Sequence, residues 1–257
     1  ANGTNPLCDL VDTTTGAVAI CTLRVKTDGF VDLTGAYCTG SVDPPTACAA
    51  AAGGACRVSK IYDQVGTTTG WVNATNAQRP VLTFSALNGL PGWTCTSAAN
   101  SNLATNAVIT IATPPITYVA VGKRTANFTT LQALLGWSTA PNSQLVFTTS
   151  ASTAGVSQNN VNFATLGSVA DSSFHALQGF VDVAGTAGVL SADGTDGGTA
   201  TVSTDAVTSR ASRLCRYAGG SSLDGVMMEV GIWAAAFNGT QRGNLNSNIH
   251  GTNWYNF

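Results

Sequence analysis

Charge is what this sequence has least of. Only 9% of its 257 residues are Asp, Glu, Lys or Arg, against about a quarter in an ordinary globular chain. With three lysines and a net charge of −2 it cannot neutralise the run of phosphates that nucleic-acid binding requires. Long apolar runs are missing too. No stretch approaches the ~18 residues of a membrane span, so no membrane insertion is expected. Glutamate is nearly absent: among 13 acidic residues only Glu229 is one. Histidine is scarce, and His175 and His250 stand far apart, which leaves little for metal or triad chemistry.

What is present is enough for a core. Hydrophobic residues make up 44%, and Thr, Ser, Asn, Gly and Ala take the place of charge. Five tryptophans and many β-branched runs argue for a folded domain rather than disorder.

The seven cysteines are Cys8, Cys21, Cys38, Cys48, Cys56, Cys95 and Cys215. They form no C-x-x-C pair and no Cys/His cluster, so no zinc pattern exists. A nucleophilic cysteine would need a His base, and no local motif supplies one. Disulfides in an oxidising compartment are the better reading, and the expected location is extracellular. Cys8 with Cys21, and Cys48 with Cys56, are the natural local pairs. Each closes a short loop worth roughly 2–3 kcal/mol in the chain-entropy account. Seven is odd, so at least one thiol is free or pairs between chains. No signal peptide precedes Ala1, which is the form expected of a mature secreted chain. Asn2, Asn73, Asn127 and Asn238 lie in Asn-x-Thr sequons, at the frequency chance gives in so Thr- and Asn-rich a sequence.

The length suits one large domain, 1–257, with no charge run or Pro-rich linker to divide it. Residues 1–100 read as loop-rich and disulfide-bearing. Their short apolar pieces are broken by Gly, Pro, Asp and Thr clusters. Residues 106–237 read as regular strands: Ala107–Ala112, Ile116–Gly122, Leu131–Trp137, Gln144–Thr149, Phe174–Val183 and Gly225–Trp233. These are rich in Val, Ile, Thr and aromatics, and His175–Val183 alternates with period two. One helix is convincing. Asn238 caps Gly239–His250, with Leu245 and Ile249 on one face. Ala47–Ala52 reads as a loop between its cysteines and Gly53–Gly54. Many strands and one short C-terminal helix give an all-β class, an antiparallel β-sandwich of jelly-roll kind.

Residues 56–96 carry a family likeness. CRVSKIYDQVG, NAQRPVLTF and ALNGLPGW form a cysteine, an apolar strand, Tyr62-Asp63-Gln64, an Arg79-Pro80 step and an Asn88-Gly89-x-Pro turn. This pattern resembles the concanavalin-like (laminin-G-like) jelly-roll group. Within that group it is most similar to the catalytic domain of glycoside hydrolase family 54 arabinofuranosidases. Bacterial and phage proteins of unknown function share it. The resemblance also implies a first disulfide like Cys8 with Cys21. Further along, Ala192-Asp193-Gly194 and the Leu223–Phe237 strand before the closing helix resemble the sandwich's later hairpin and last strand.

The family's retaining chemistry needs two carboxyls about 5–5.5 Å apart. On the resemblance, Gln144 stands where the nucleophilic Glu belongs, with Asn142 just before it. Tyr217-Ala218-Gly219-Gly220-Ser221 stands where the acid/base loop belongs. Neither position has a carboxyl. Were the chain an enzyme, Asp224 and Glu229 are the acids left to serve. Glu229, among Met227, Met228, Val230 and Ile232, reads more simply as a strand residue. Asp63 reads as a turn former, the alternative being a ligand carboxylate, and Gln64 reads likewise. Trp71 and Trp93, in Gly-flanked and loop-like contexts, are equally candidates to stack on a sugar or to close the core. Trp137 and Trp233 are expected in the core.

The resulting expectation is a carbohydrate-binding, lectin-like module on a glycosidase-like sandwich, without hydrolysis. The partner is a glycan or polysaccharide, and the setting is extracellular or a virion surface. Its candidate sugar-binding residues are Trp71, Trp93, Asp63, Gln64, Gln144 and Asn142. The alternatives are an α-L-arabinofuranosidase-type hydrolase and a structural virion or surface protein built with other subunits. No cofactor is expected. Calcium wants several clustered carboxyls, and Asp193 with Asp196 in one Gly-rich loop is turn chemistry instead.

Overall fold

The computed structural model describes residues 5–26, 31–64, 70–105, 107, 109–111, 115–126, 129–137, 144–147, 153–158, 161–167, 169, 172–181, 188–201, 207–217, 220–235 and 237–249. In chain order the described elements are β1 (Asn5–Asp12), β2 (Ala19–Val25), β3 (Val31–Asp32), α1 (Pro44–Ala50), β4 (Cys56–Tyr62), β5 (Gly70–Val72), β6 (Val81–Leu87), β7 (Leu90–Cys95), β8 (Leu103–Thr105), β9 (Ile109–Ile111), β10 (Ile116–Arg124), β11 (Gln132–Trp137), β12 (Gln144–Phe147), β13 (Ala154–Gln158), β14 (Val161–Leu166), β15 (His175–Val181), β16 (Gly188–Ala192), β17 (Thr195–Ala200), β18 (Val207–Arg210), β19 (Ser212–Leu214), β20 (Gly225–Trp233) and α2 (Gly239–Ile249).

Strand β4 is the fork of the architecture. Along one edge it pairs with β1, which continues to β2 and β3. Along its other edge two neighbours share its length. Arg57 pairs with β6, while Lys60, Ile61 and Tyr62 pair with β5. From β6 one layer runs through β7, β20, β10, β15 and β16 to β17. From β5 a second layer runs through β8, β19, β11, β12 and β13 to β14. Every pairing is antiparallel, and the layers face each other as a β-sandwich. Strands β9 and β18 pair separately.

The core lies between the layers. Tyr118, Leu177, Val181 and Met227 come from the first layer, and Leu135, Trp137, Leu145, Phe147 and Leu214 from the second. Burying each such side chain contributes roughly 1.5–3 kcal/mol. A smaller cluster sits on the outside of the first layer. There Leu245 and Ile249 of α2 cover Val119, Val121, Ala176, Val226 and Met228. Trp137 is in the core as expected, whereas Trp233 is half-buried beneath this outer cluster.

Two hairpins follow directly from their turn residues. Asn88-Gly89 joins β6 to β7 with φ of 50° and 77°, and Asp193-Gly194 joins β16 to β17 with φ of 50° and 82°. A two-residue loop with both φ values positive matches the twist of antiparallel strands, and Asn-Gly and Asp-Gly adopt it at low cost. Helix α2 has a reciprocal cap. The Gln241 amide donates to Asn238 Oδ1 and the Asn238 amide to Gln241 Oε1, both at 2.9 Å.

Residues 1–100 hold seven strands, β1 to β7, between their loops. Two expectations are corrected. Ala47–Ala52 belongs largely to α1. Asp43 caps that helix by accepting the Thr46 amide at 2.9 Å, and two prolines open it. The first disulfide is Cys21–Cys38, and Cys8 is a buried free thiol. Register is the reason. Cys8 lies opposite Leu23, and Cys21 lies opposite Leu10. The two cysteines are therefore diagonal neighbours, about 7–8 Å apart and beyond easy bridging. Cys48–Cys56 forms as expected and ties α1 to β4. Cys95–Cys215 joins β7 to the end of β19, one layer to the other.

Candidate functional site

Polar groups converge on the outward face of β1 and β2. Cys8 and Leu10 turn into the core, so Asp9 between them turns out. Its register partner Thr22 does the same and donates to Asp9 Oδ1 at 2.6 Å. The Tyr62 hydroxyl, at the end of β4, donates to Asp9 Oδ2 at 2.8 Å. The Ser59 hydroxyl donates to the Asp9 carbonyl at 3.2 Å. A groove of about 490 Å³ runs beside these groups, lined by Asp9, Thr22, Tyr37, Thr39, Ser59 and the Cys21–Cys38 disulfide.

Two cations brace the aromatic groups. The Arg24 guanidinium lies 5.1 Å above the Tyr37 ring, and Lys60 Nζ lies 4.0 Å above the Tyr62 ring. The Tyr37 hydroxyl donates to the Asp32 carbonyl. Burial, and then the charge of Asp32, pushes the Tyr37 phenol up to about 12. Burial, and then the bond to Asp9, pushes Tyr62 up to about 12. Beneath the strand the Cys8 thiol is also pushed up, by burial first and the Asp9 charge second. Tyr37 in the groove and Tyr62 beside it thus keep their phenolic protons at neutral pH, and the buried Cys8 thiol is unreactive. Asp9 has about four lone-pair sites, and Thr22 and Tyr62 occupy two. The rest are acceptors for hydroxyl or amide donors.

Of the candidate sugar-binding residues read from sequence, Asp63, Gln64, Trp71 and Trp93 lie outside the lining of this groove. Asp63 is half-buried at the end of β4. The exposed Gln64 amide donates to the carbonyls of Pro6 at 2.9 Å and Tyr62 at 3.0 Å, which ties β4 to the start of β1. Trp71 and Trp93 stand on strands, not loops, and lie against the sandwich core. Trp71 Nε1 donates to the Ser212 hydroxyl at 2.7 Å, joining β5 to β19. Gln144 pairs through its backbone with Gly136 and Ser157, and its side chain lies outside the described residues, as does Asn142.

The two acids proposed for catalysis are not a pair. Asp224 receives the Ser97 amide at 2.6 Å and the Ser97 hydroxyl at 2.7 Å, and its own amide donates to Gln132 at 2.9 Å. Glu229 sits at a bulge of β20 opposite Val121. The strand from Gly225 to Glu229 alone spans about 13 Å. The two acids of the Gly-rich loop are likewise engaged. Asp193 accepts from the Ala176 amide at 2.8 Å and meets His175 Nδ1 at 2.6 Å, while Asp196 pairs with Arg242 at 2.9 Å.

Sequence reasoning missed Asp9, Thr22 and Tyr37. Asp9 in NPLCDLVD carries a usable signal, since it is the one charge between inward-facing Cys8 and Leu10. Its partners are 13 and 53 residues away, and no local pattern announces them.

No family model matches the chain, and no curated protein does. Solved structures do. A glycoside hydrolase family 54 α-L-arabinofuranosidase mutant soaked with 4-nitrophenyl α-L-arabinofuranoside is similar at 13% identity and a TM-score of 0.64, covering 96% of this chain and 59% of that one. An arabinofuranosidase complexed with arabinofuranosyl-α-1,2-xylobiose is similar at 13% identity and a TM-score of 0.61, covering 95% and 58%. The binding domain of Paraclostridial Mosquitocidal Protein 1 is similar at 10% identity and a TM-score of 0.52, covering 76% and 51%. The likeness is one of fold. The chain has the concanavalin-like jelly-roll sandwich of the arabinofuranosidases and spans 59% of the length of the first of them.

Proposed function

We propose that the chain is an extracellular, lectin-like module that holds a neutral glycan in the Asp9 groove without cleaving it. One observation carries the reading: a single braced carboxylate stands beside an aromatic ring and a row of hydroxyls in a groove of about 490 Å³. A sugar presents C–H faces to a ring such as Tyr37 and hydroxyl donors to a carboxylate such as Asp9. That volume falls within the usual range for small-ligand sites.

Hydrolysis needs two carboxyls in either geometry, and among the described residues the groove lining holds one, Asp9. Asp224, bound by Ser97, serves as a structural anchor. The three disulfides suit an extracellular setting. The arabinofuranosidase-like fold adds a prior for glycans and nothing about the site.

The test is a glycan array followed by calorimetry on the best hit. Asp9→Ala and Tyr37→Ala each lower affinity by about tenfold or more, the value of one good polar contact, while the near-ultraviolet circular dichroism stays native. Unchanged binding in both folded variants, or hydrolysis of an aryl arabinofuranoside, overturns the reading.

A further inference from the structure

Helix α2 covers the outward face of the first layer, and a polar row crosses that face beneath it. Gln178 of β15 pairs with Ser191 of β16, and Ser191 pairs with Asp196 of β17. Residues in register share a face. The neighbours of Gln178 fix which face this is. Ala176 lies in the outer cluster with Ile249 of α2, and the Arg242 guanidinium of α2 stands 4.8 Å over the Phe180 ring. Gln178 lies between them, under the helix.

Gln178 is 1% exposed, yet among the described residues neither its Oε1 nor its Nε2 has a hydrogen-bond partner. Asn246 Oδ1, on the helix, is also buried and unpartnered. An orphaned buried amide costs its full desolvation, and native structures leave few of them. Asn246 and Ser191, the register partner of Gln178, line a cavity of about 140 Å³ together with Gly194, Asp196, Gly239, Arg242 and Gly243. A Cβ added at Gly239 or Gly243 meets nothing within 4 Å, so the helix leaves this space open.

We infer that this cleft is a second binding site, separate from the Asp9 groove, for one ring of a neutral polyhydroxylated molecule such as a monosaccharide or a terminal sugar residue. Size sets the first limit. About 140 Å³ is close to the ~150 Å³ that accepts one benzene ring. Charge sets the second. Asp196 and Arg242 already pair at 2.9 Å, so the lining is matched in charge and favours no ion. Hydrogen bonding sets the third. The orphaned Asn246 Oδ1 in the lining is an acceptor and Ser191 beside it carries a hydroxyl, so a ligand hydroxyl satisfies the first and pairs with the second. Helix α2 is held by few apolar contacts, chiefly Leu245 and Ile249. A ligand bridging it to Ser191 would fasten it.

The test uses the whole chain with free arabinose, xylose, galactose and N-acetylglucosamine as probes, read by amide hydrogen exchange of α2. At least one sugar slows exchange across Arg242–Ile249 by about tenfold at saturation. Gly243→Leu fills the cleft with a better helix former and abolishes that protection with Tm unchanged or raised. Asn246→Leu removes the orphaned acceptor of the lining and also abolishes protection. Asp9→Ala leaves the protection intact, which separates this site from the groove. Protection by none of the four sugars, or protection that survives both cleft variants, overturns the inference.

Discussion

The Tyr62 hydroxyl meets Asp9 Oδ2 at 2.8 Å across 53 residues of chain. This bond fastens the outer end of the fork strand to the first strand of the molecule and fixes the carboxylate of the groove. Tyr62→Phe keeps the ring under Lys60 and removes only the bond. It costs about 1 kcal/mol in urea unfolding and weakens glycan binding less than Asp9→Ala does.

The same two tyrosines set an alkaline limit. Tyr37 and Tyr62 both titrate near 12 in the folded chain, against about 10 when unfolded. The folded state therefore holds its phenolic protons longer. Their stabilising contribution is whole below about pH 10 and is lost as pH rises through 12. Unfolding monitored across that window, with tyrosinate absorbance followed in parallel, shows the decline. A Tyr37→Phe, Tyr62→Phe double variant flattens it.

At the acid end Asp12 governs. It accepts the amides of Thr14, Thr15 and Val18 at 2.9, 2.6 and 3.1 Å and so closes the turn from β1 to β2. Its carboxyl is held well below the usual range, chiefly by the Thr15 amide. A lowered carboxyl contributes in full above the unfolded value of about 3.9, and that contribution declines as pH falls from there through the lower folded-state value. Asp12→Asn lowers Tm at pH 7 and makes the remaining Tm less sensitive to pH between neutrality and about pH 3 than in the parent chain.

Disulfide loss ranks by loop. Cys95–Cys215 spans 120 residues and Cys48–Cys56 spans 8. In the chain-entropy account, serine substitution costs about 5 kcal/mol for the first and about 2.5 for the second. Denaturant titration of each paired Cys→Ser variant measures both. A thiol reagent finds no reactive cysteine in the native chain and one, Cys8, after unfolding.

Asp224→Asn and Ser97→Ala weaken one connection between the ends of β7 and β20, neighbours within the first layer, next to Cys95–Cys215. A double-mutant cycle on this pair gives a coupling of about 1–3 kcal/mol, as for a hydrogen bond to a charged group. A coupling near zero removes Asp224 from its role as an anchor.

The later strands were legible because they obey one rule each. β10, β11, β15 and β20 are long, apolar and bounded by turns, and α2 announces itself through Asn238 and Gln241. The first hundred residues were less legible because register slips break their alternation. Bulges fall at Leu10/Val11 in β1–β2 and at Asp9/Leu10 in β1–β4, so no simple period survives. Trp71 and Trp93 looked like loop residues because glycines precede them. Those glycines mark close approach instead. A Cβ at Gly70 would stand 2.7 Å from the Ile61 carbonyl, and one at Gly92 2.8 Å from that of Met227. The groove was hidden for a different reason. Asp9, Thr22, Tyr37 and Tyr62 meet only after three strands and a disulfide loop have come together.

That both layers and the first hairpin branch from β4 makes Cys56–Tyr62 a trunk with three limbs. The limbs are unequal in what they tolerate. Each outer strand has a free margin where insertions can accumulate, so new loops and new specificities can grow there without disturbing the rest. The trunk has no such margin. A change there shifts the registry of every limb at once, and variation in proteins built on this plan should gather at the tips and thin out toward this seven-residue segment.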